Sequence, residues 1–439
     1  YEIGVRLVGS EMCIRDRYCF HRRVQVSTCS RVTSTEGKFS KIMSYLNNEH
    51  TEKMSSQNMQ SDRPLMIAVI FLVVIGLMAI FSASAPKCID MGLNPARFLI
   101  QQIFGVIVGF VGLKFLSNFH YKKLIMYTVP FAIFVIIMLI LVKVMGTTVN
   151  GAQRWINIGP MSLQPSEFAK PAVVMLLAGA FYKNTNLLDN EKIIWAFVPI
   201  LIMVGLIFTQ PNLSMVLLLL ATSVAIYICA GGSIQLILYG MCTMIPLLLL
   251  KGLKGYQSSR ITTWLHPEAD PLGAGYNIIQ SLVAFASGGL YGVGYGSSKQ
   301  KLAWLPEAHT DFIYAVIGEE HGFIGCLLII CLFWTILQRG FLIAVKCQDM
   351  YGKLLALGLT FSICFQGFLN MWVASSFVPA TGVPMPFISY GGSSIMVSLW
   401  MVGILLNISK DNVKRVRFGN VRSIPVSYTH LTLPTTSRV

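Results

Sequence analysis

Charge is what this sequence has least of. Only 12% of its 439 residues are Asp, Glu, Lys or Arg, where a soluble domain carries about a quarter. With 54% hydrophobic residues, such a chain cannot cover itself with polar surface in water. Acids are the scarcer sign, 19 against 34 basic residues, and the formal charge is +15. That surplus does not indicate a nucleic-acid binder, because no basic stripe is interleaved with base-stacking aromatics. Paired cysteine spacing is missing too. Cys229, Cys242, Cys326, Cys331 and Cys364 lie in apolar runs, where a thiol acts as a small hydrophobe. Cys88 alone is expected on the outer side, so no disulfide framework follows.

What the chain has in abundance is long apolar runs. A spanning helix needs roughly 20 apolar residues, and 64–84 and 124–145 meet that with almost no charge inside. Open sheets leave backbone groups unsatisfied in lipid, and these runs are too long and uniform for barrel strands. The expected fold is an all-α polytopic membrane protein with about ten transmembrane helices. They are placed at 64–84, 98–117, 124–145, 165–182, 193–209, 213–230, 234–250, 311–337, 354–377 and 388–408. A large extracytoplasmic loop then separates spans seven and eight. Short loops on one side carry dense Lys and Arg while 210–212 and 378–387 carry none, which puts both termini in the cytoplasm. Lys251, Lys254, Arg260, Lys299 and Lys301 run against that rule in the long outer loop, which is a poor reporter of topology.

Three regions are expected. Residues 1–63 form a disordered cytoplasmic tail, 64–417 the membrane domain, and 418–439 a second cytoplasmic tail. Residues 1–18 and 425–439 resemble translated sequencing-adaptor sequence and are set aside, with a native start expected at Met43, Met54 or Met59. The first apolar run is too long for the core of a cleavable signal and is expected to stay as the first span.

The polar motifs all fall on the outer face. A transporter usually keeps such residues near the bilayer midplane, so this clustering favours surface chemistry on an amphiphile. Residues 150–171 read NGAQRWINIGPMSLQPSEFAKP, where Trp155, Ile156 and Ile158 beside Arg154 suit a short interfacial helix or re-entrant turn. Glu167 and Lys170 share a helix face, as a site pair or a local ion pair. The glycines at 288–296 superficially match a dinucleotide fingerprint but lack the preceding strand. A flexible outer loop fits better, and close backbone approach to a diphosphate stays open. In SSKQKLAWLPEAHTDFIYAVIGEEHG, Asp311 stands where loop becomes helix, as a working carboxylate or a helix-end residue. Glu319 and Glu320 are two turns deeper in an apolar run, and hydrogen bonding to neighbouring helices is preferred over catalysis for them. His309 has no second ligand pair at metal spacing. TGVPMPFISYGGSS places Ser389 and small residues at a helix start, which suits an anion or close helix packing.

Together NGAQRWI, QPSEFAK, QKLAWLPEAHTDFIYAVIGEE and PFISYGGSS resemble the SEDS family (FtsW, RodA, SpoVE), the membrane glycosyltransferases of peptidoglycan synthesis. The resemblance covers about 64–417, and Ala308 with PFISYGGSS is more similar to the division branch, FtsW, than to RodA. One departure is Gln210-Pro211-Asn212, where the family often has an acid in place of Asn212. The resemblance implies polymerisation of lipid II on the outer face of the inner membrane, at the division septum, with Asp311 as the catalytic acidic residue, acting as base. Arg154, Lys170 and Lys301 would meet diphosphates, and Glu167 would orient Lys170 or hold a metal. Gln300, His309 and Ser389 are assigned to substrate binding. The leaving diphosphate calls for side-chain cations or a divalent metal, magnesium or manganese, with Asp311 and Glu167 as candidate ligands. The implied partners are a class B penicillin-binding protein and other division proteins. A lipid II flippase and a division scaffold without chemistry are the rival readings.

Overall fold

The computed structural model describes residues 62–149, 152–158, 161–183, 193–210, 212–233, 235, 256–273, 275–302 and 305–422. In chain order the elements are α1 (Arg63–Asp90), α2 (Arg97–Asn118), α3 (Leu124–Met145), β1 (Thr147–Val149), β2 (Ala152–Ile158), β3 (Met161–Leu163), α4 (Pro165–Lys183), α5 (Ile193–Thr209) and α6 (Leu213–Cys229). After residues 236–255, which lie outside the described set along with the expected span at 234–250, come α7 (Tyr256–Leu265), α8 (Tyr276–Gly288), α9 (Ile313–Lys346), α10 (Met350–Ala374) and α11 (Gly392–Arg422).

Among the described residues six helices are long and apolar enough to cross a membrane: α1, α2, the unit Tyr121–Met145 that contains α3, α9, α10 and α11 over Gly392–Asn412. Phe197–Thr209 and Leu213–Cys229 are shorter apolar helices. α10 and α11 are largely buried within the protein, whereas α2 and α3 turn Val111, Phe115, Met126 and Val144 outward. An apolar outer face is what lipid requires. α2 packs on α11 through small residues: a Cβ at Gly109 would lie 2.5 Å from Leu399 Cδ1, and one at Gly105 3.1 Å from Gly392 Cα.

Two expectations need correction. Residues 152–158 are not an interfacial helix but the middle strand of an antiparallel sheet, β1-β2-β3. Thr147, Thr148 and Val149 pair with the Trp155 region, and β-branched and aromatic residues suit a ladder that satisfies the backbone locally. The fold is therefore mainly, not wholly, helical.

The second concerns the span expected at 311–337. The helix begins at Ile313, runs to Lys346, and is interrupted at Gly322 (φ 66°, ψ −163°). The 288–296 segment is packed across that interruption rather than left as a flexible loop. Val293 N–H donates to Glu319 O at 2.9 Å, Gly294 N–H to Glu320 O at 3.1 Å, and Phe323 N–H to Gly289 O at 2.9 Å. Gly292 sits at φ +82° with its α-carbon against Glu320 O, where a side chain has no room.

Glu319 and Glu320 lie just before that break. α1 and α9 are pinned at one end by the bidentate pair of Arg339 with Asp62, which also caps α1. At the other end Ser82 Oγ donates to Glu320. At about 1.5 Å per residue the pins lie about 30 Å apart along α1, the thickness of a hydrocarbon core. The pairs of Arg339 with Asp62 and of Glu320 with Ser82 thus tie α1 to α9 at both ends of that length.

Candidate functional site

The LPEAHTDF segment turns sharply before α9. Glu307 adopts φ 54°, a costly conformation for a side-chain-bearing residue, and its carbonyl accepts the N–H groups of Thr310 at 3.1 Å and Asp311 at 3.2 Å. The turn sets Asp311 just ahead of the first helical residue, with no side-chain cap bond at that helix start. Asp311 therefore does not act as a helix cap.

The turn is held from two sides. The PFISYGGSS segment grips it directly: Tyr390 N–H donates to His309 O at 3.0 Å and Ser389 Oγ to Thr310 O at 2.6 Å. Gln102 of α2 in turn fixes that segment, accepting from Gly391 N–H at 3.1 Å and donating to Ser389 O at 3.3 Å. From α10, Asn370 Nδ2 donates to both Asp311 O at 2.9 Å and Val383 O at 2.8 Å.

One turn earlier on α10, Gln366 continues the network inward. Its amide donates to Pro384 O at 2.8 Å, and its oxygen accepts from Lys170 Nζ at 2.6 Å. Lys170 pairs with Glu167 at 2.6 Å, both wholly buried. Glu167, Lys170 and Gln366 thus form one buried polar chain that reaches the Pro384 carbonyl, and Asn370 ties the neighbouring Val383 carbonyl to the backbone of Asp311.

Burial pushes the Asp311 carboxyl up to about 7, and the negative charge of Glu307 adds to the rise; Arg260 and then Arg154 oppose it. Asp311 is thus a carboxylate poised near neutrality within the field of two guanidinium groups. Arg154 Nε donates to Gln210 O at 2.9 Å and Arg260 Nη1 to Ala380 O at 3.0 Å, so both guanidinium groups are anchored on backbone carbonyls. Arg260 is carried by α7, docked on the end of α10 by Trp264 Nε1 donating to Ser376 O at 2.9 Å.

His309 lies beside Phe98 and Tyr390, with ring centroids 5.0 and 5.8 Å away. Burial lowers its pKa to about 4, the charge of Lys87 lowers it further and Glu307 opposes, so the ring is neutral near pH 7. Its observed role is packing.

Gln300 and Lys301 are not part of this group. Gln300 N–H donates to Glu319 at 3.3 Å, and Lys301 Nζ reaches Glu320 at 2.9 Å and Ser82 Oγ at 2.8 Å. Lys301, expected on a diphosphate, is instead buried in an ion pair. Glu167, a candidate metal ligand, already faces Lys170, and no three His, Cys, Asp or Glu side chains assemble as a metal site among the described residues. The donor set does not fit a protein-held metal.

Sequence reasoning missed Arg260 and Glu307 as groups acting on Asp311.

The family profile described as "Cell cycle protein" (FtsW, RodA, SpoVE) matches residues 63–414. A probable peptidoglycan glycosyltransferase FtsW of Trichlorobacter lovleyi is 39% identical over 356 residues, covering 79% of this chain and 93% of that protein. Stage V sporulation protein E of Bacillus subtilis is 37% identical over 376 residues, covering 81% and 99%. Among solved structures, a chain from a peptidoglycan synthase complex that coordinates polymerization and crosslinking is similar at TM-score 0.67 and 28% identity, covering 80% of this chain and 98% of that one. The rod shape determining protein RodA of Thermus thermophilus is similar at TM-score 0.60 and 25% identity, covering 80% and 97%. With a profile matched over most of its length and relatives above a third identical, the chain belongs to the FtsW/RodA/SpoVE family of cell cycle proteins, the SEDS family.

Proposed function

We propose that this protein is a peptidoglycan glycosyltransferase that polymerises lipid II into glycan strands at the outer face of the bacterial inner membrane, in septal wall synthesis. The observation that carries the reading is Asp311, a half-buried carboxyl raised to about 7 with Arg154 and Arg260 acting on it. The acceptor sugar's 4-hydroxyl is a weak nucleophile. Asp311 takes its proton as its oxygen bonds to the donor's anomeric carbon, with inversion. The bond from that carbon to the lipid diphosphate breaks, and the electron pair leaves with the diphosphate. General-base assistance of this kind contributes about 10²–10⁴-fold. Arg154 and Arg260 stabilise the departing anion. Lys170 and Glu167 act from below, through Gln366, on the segment that faces Asp311. A divalent ion would take most of its ligands from the substrate's diphosphate, with Asp311 beside it, and would supply charge stabilisation to the leaving group.

The same reading carries a ten-span topology with the large outer loop between spans seven and eight and both termini cytoplasmic. A class B penicillin-binding protein and other division proteins are its partners, since crosslinking must follow polymerisation. The flippase alternative needs a polar path through the bundle. Gln366 and Asn370 are instead engaged with Lys170 and backbone carbonyls, and Glu319 and Glu320 are closed by Ser298, Lys301 and Ser82.

The test supplies labelled lipid II to the purified protein with its transpeptidase, and separately measures lipid II exposure on the outer leaflet of vesicles. A glycan ladder without accelerated exposure supports the polymerase. Exposure without a ladder establishes the flippase, and neither activity in a folded complex establishes the scaffold.

A further inference from the structure

Besides the polar groups around Asp311, the protein contains a second buried polar cluster, at the break in α9. Glu319 and Glu320 are consecutive, so their side chains diverge by about a quarter turn and hold different partners. Glu319 accepts from Ser298 Oγ, from Lys299 N–H at 2.9 Å and from Gln300 N–H at 3.3 Å. Glu320 accepts from Lys301 Nζ at 2.9 Å and from Ser82 Oγ of α1. The pair of Lys301 and Glu320 is almost sealed, with side chains 6% and 1% exposed. Tyr295 adds a tie to α1, its hydroxyl donating to Met78 O at 3.1 Å.

A buried ion pair is a poor device for stability, because desolvation offsets most of the attraction; its better-attested use is to fix a register. The register fixed here is that of the loop leading to Asp311. Gln300 is held through its N–H by Glu319, and its carbonyl accepts Leu305 N–H at 2.8 Å. Two residues beyond Leu305, Glu307 begins the strained turn that ends at Asp311.

We propose that Lys301, Glu319 and Glu320 are positioning residues: a latch joining the outer loop to α1 and α9 that sets the height of the Asp311 turn above the membrane. The inference rests on the polymerase reading for its consequence, but not for its geometry. The latch also makes the reaction sensitive to the relative position of α1 and α9, since Ser82 and Glu320 share Lys301.

The experiment uses the full chain in complex with its transpeptidase and compares Lys301→Glu, Glu320→Lys, the double exchange and the milder Glu320→Gln. Two readouts are taken: amide hydrogen exchange across 298–312, and kcat and KM for lipid II polymerisation. Each charge reversal should speed exchange at 299–305 and lower kcat roughly tenfold to hundredfold, with KM little changed, as misplacement of a reacting group does. The double exchange should recover both, and Glu320→Gln should fall between. Charge reversals that keep wild-type exchange overturn the latch, and so do variants that lose protection yet keep kcat. Wild type that makes no polymer overturns the polymerase reading and with it the positioning role, while the exchange data still report whether the latch exists.

Discussion

The backbone N–H of Tyr390 donates to the carbonyl of His309 at 3.0 Å, so two segments far apart in sequence form one structural unit beneath Asp311. Ser389 reinforces it, its hydroxyl donating to Thr310 O at 2.6 Å and accepting Met385 N–H at 2.8 Å. Ser389→Ala strands both backbone groups, at a cost of about 1–3 kcal/mol for each left unsatisfied. The expected outcome is a lowered thermal midpoint together with lowered turnover. Thermal unfolding in detergent beside a polymerisation assay checks it.

The pH profile reports on Asp311. A base must be ionised, so turnover should rise with pH to a midpoint near 7. Glu307→Gln removes the like charge and should move that midpoint down; Arg260→Ala removes an opposing cation and should move it up. The polymerisation rate from pH 5.5 to 9, a range set about the neutral midpoint, measures both shifts.

Stability has the opposite dependence. The folded state raises the Asp311 pKa, so it binds the proton more tightly than the unfolded chain does. That contribution is fully present below the ordinary 3.8 and is lost as pH climbs to about 7. Asp311→Asn should therefore raise the thermal midpoint at alkaline pH and leave it unchanged at strongly acid pH. Midpoints measured for both proteins across that range decide the matter.

Removing one member of the buried Glu167–Lys170 pair should cost more than removing both. Lys170→Met leaves a sealed carboxylate unpaired, at about 3–5 kcal/mol, whereas the double variant Glu167→Gln, Lys170→Met leaves no buried charge. Comparing the folded yields and thermal midpoints of the single and double variants tests this.

Close packing makes a ranked prediction. A Cβ at Gly76 would lie 2.5 Å from the carbonyl oxygen of Phe387, a backbone atom in the turn that precedes Ser389. At Gly109 the 2.5 Å contact is with Leu399 Cδ1, the end of a flexible side chain. Gly76→Ala should be the more damaging substitution in both thermal midpoint and activity, because backbone cannot yield as a rotamer can.

The membrane character of the chain was legible from apolar run length alone, since lipid permits few alternatives. So was part of the grouping of the polar motifs, since Ser389 of PFISYGGSS meets the Asp311 turn directly. The strand at 152–158 was not: a seven-residue segment with Trp155 and two isoleucines reads equally as an interfacial helix until its pairing with Thr147–Val149 is known. The break at Gly322 was hidden because hydropathy ignores backbone dihedrals, whereas the expected hydrogen bonding of Glu320 to a neighbouring helix is seen at Ser82. Asp311 was found through motif resemblance. Arg260 was passed over because its contribution depends on α7 docking at Ser376, a tertiary contact with no local signature. Lys301 shows the converse, a cation whose sequence neighbourhood suggested substrate and whose position gives it to Glu320.

The most direct measurement is glycan polymerisation by wild type and Asp311→Asn, purified in the same complex, matched for folding, and assayed at a pH above the midpoint. Asparagine keeps the shape of the side chain and removes its capacity to take a proton. A ladder from wild type and none from Asp311→Asn, with lipid II still bound, is the predicted result. Polymerisation by Asp311→Asn near the wild-type rate would contradict the assignment of Asp311 as the base.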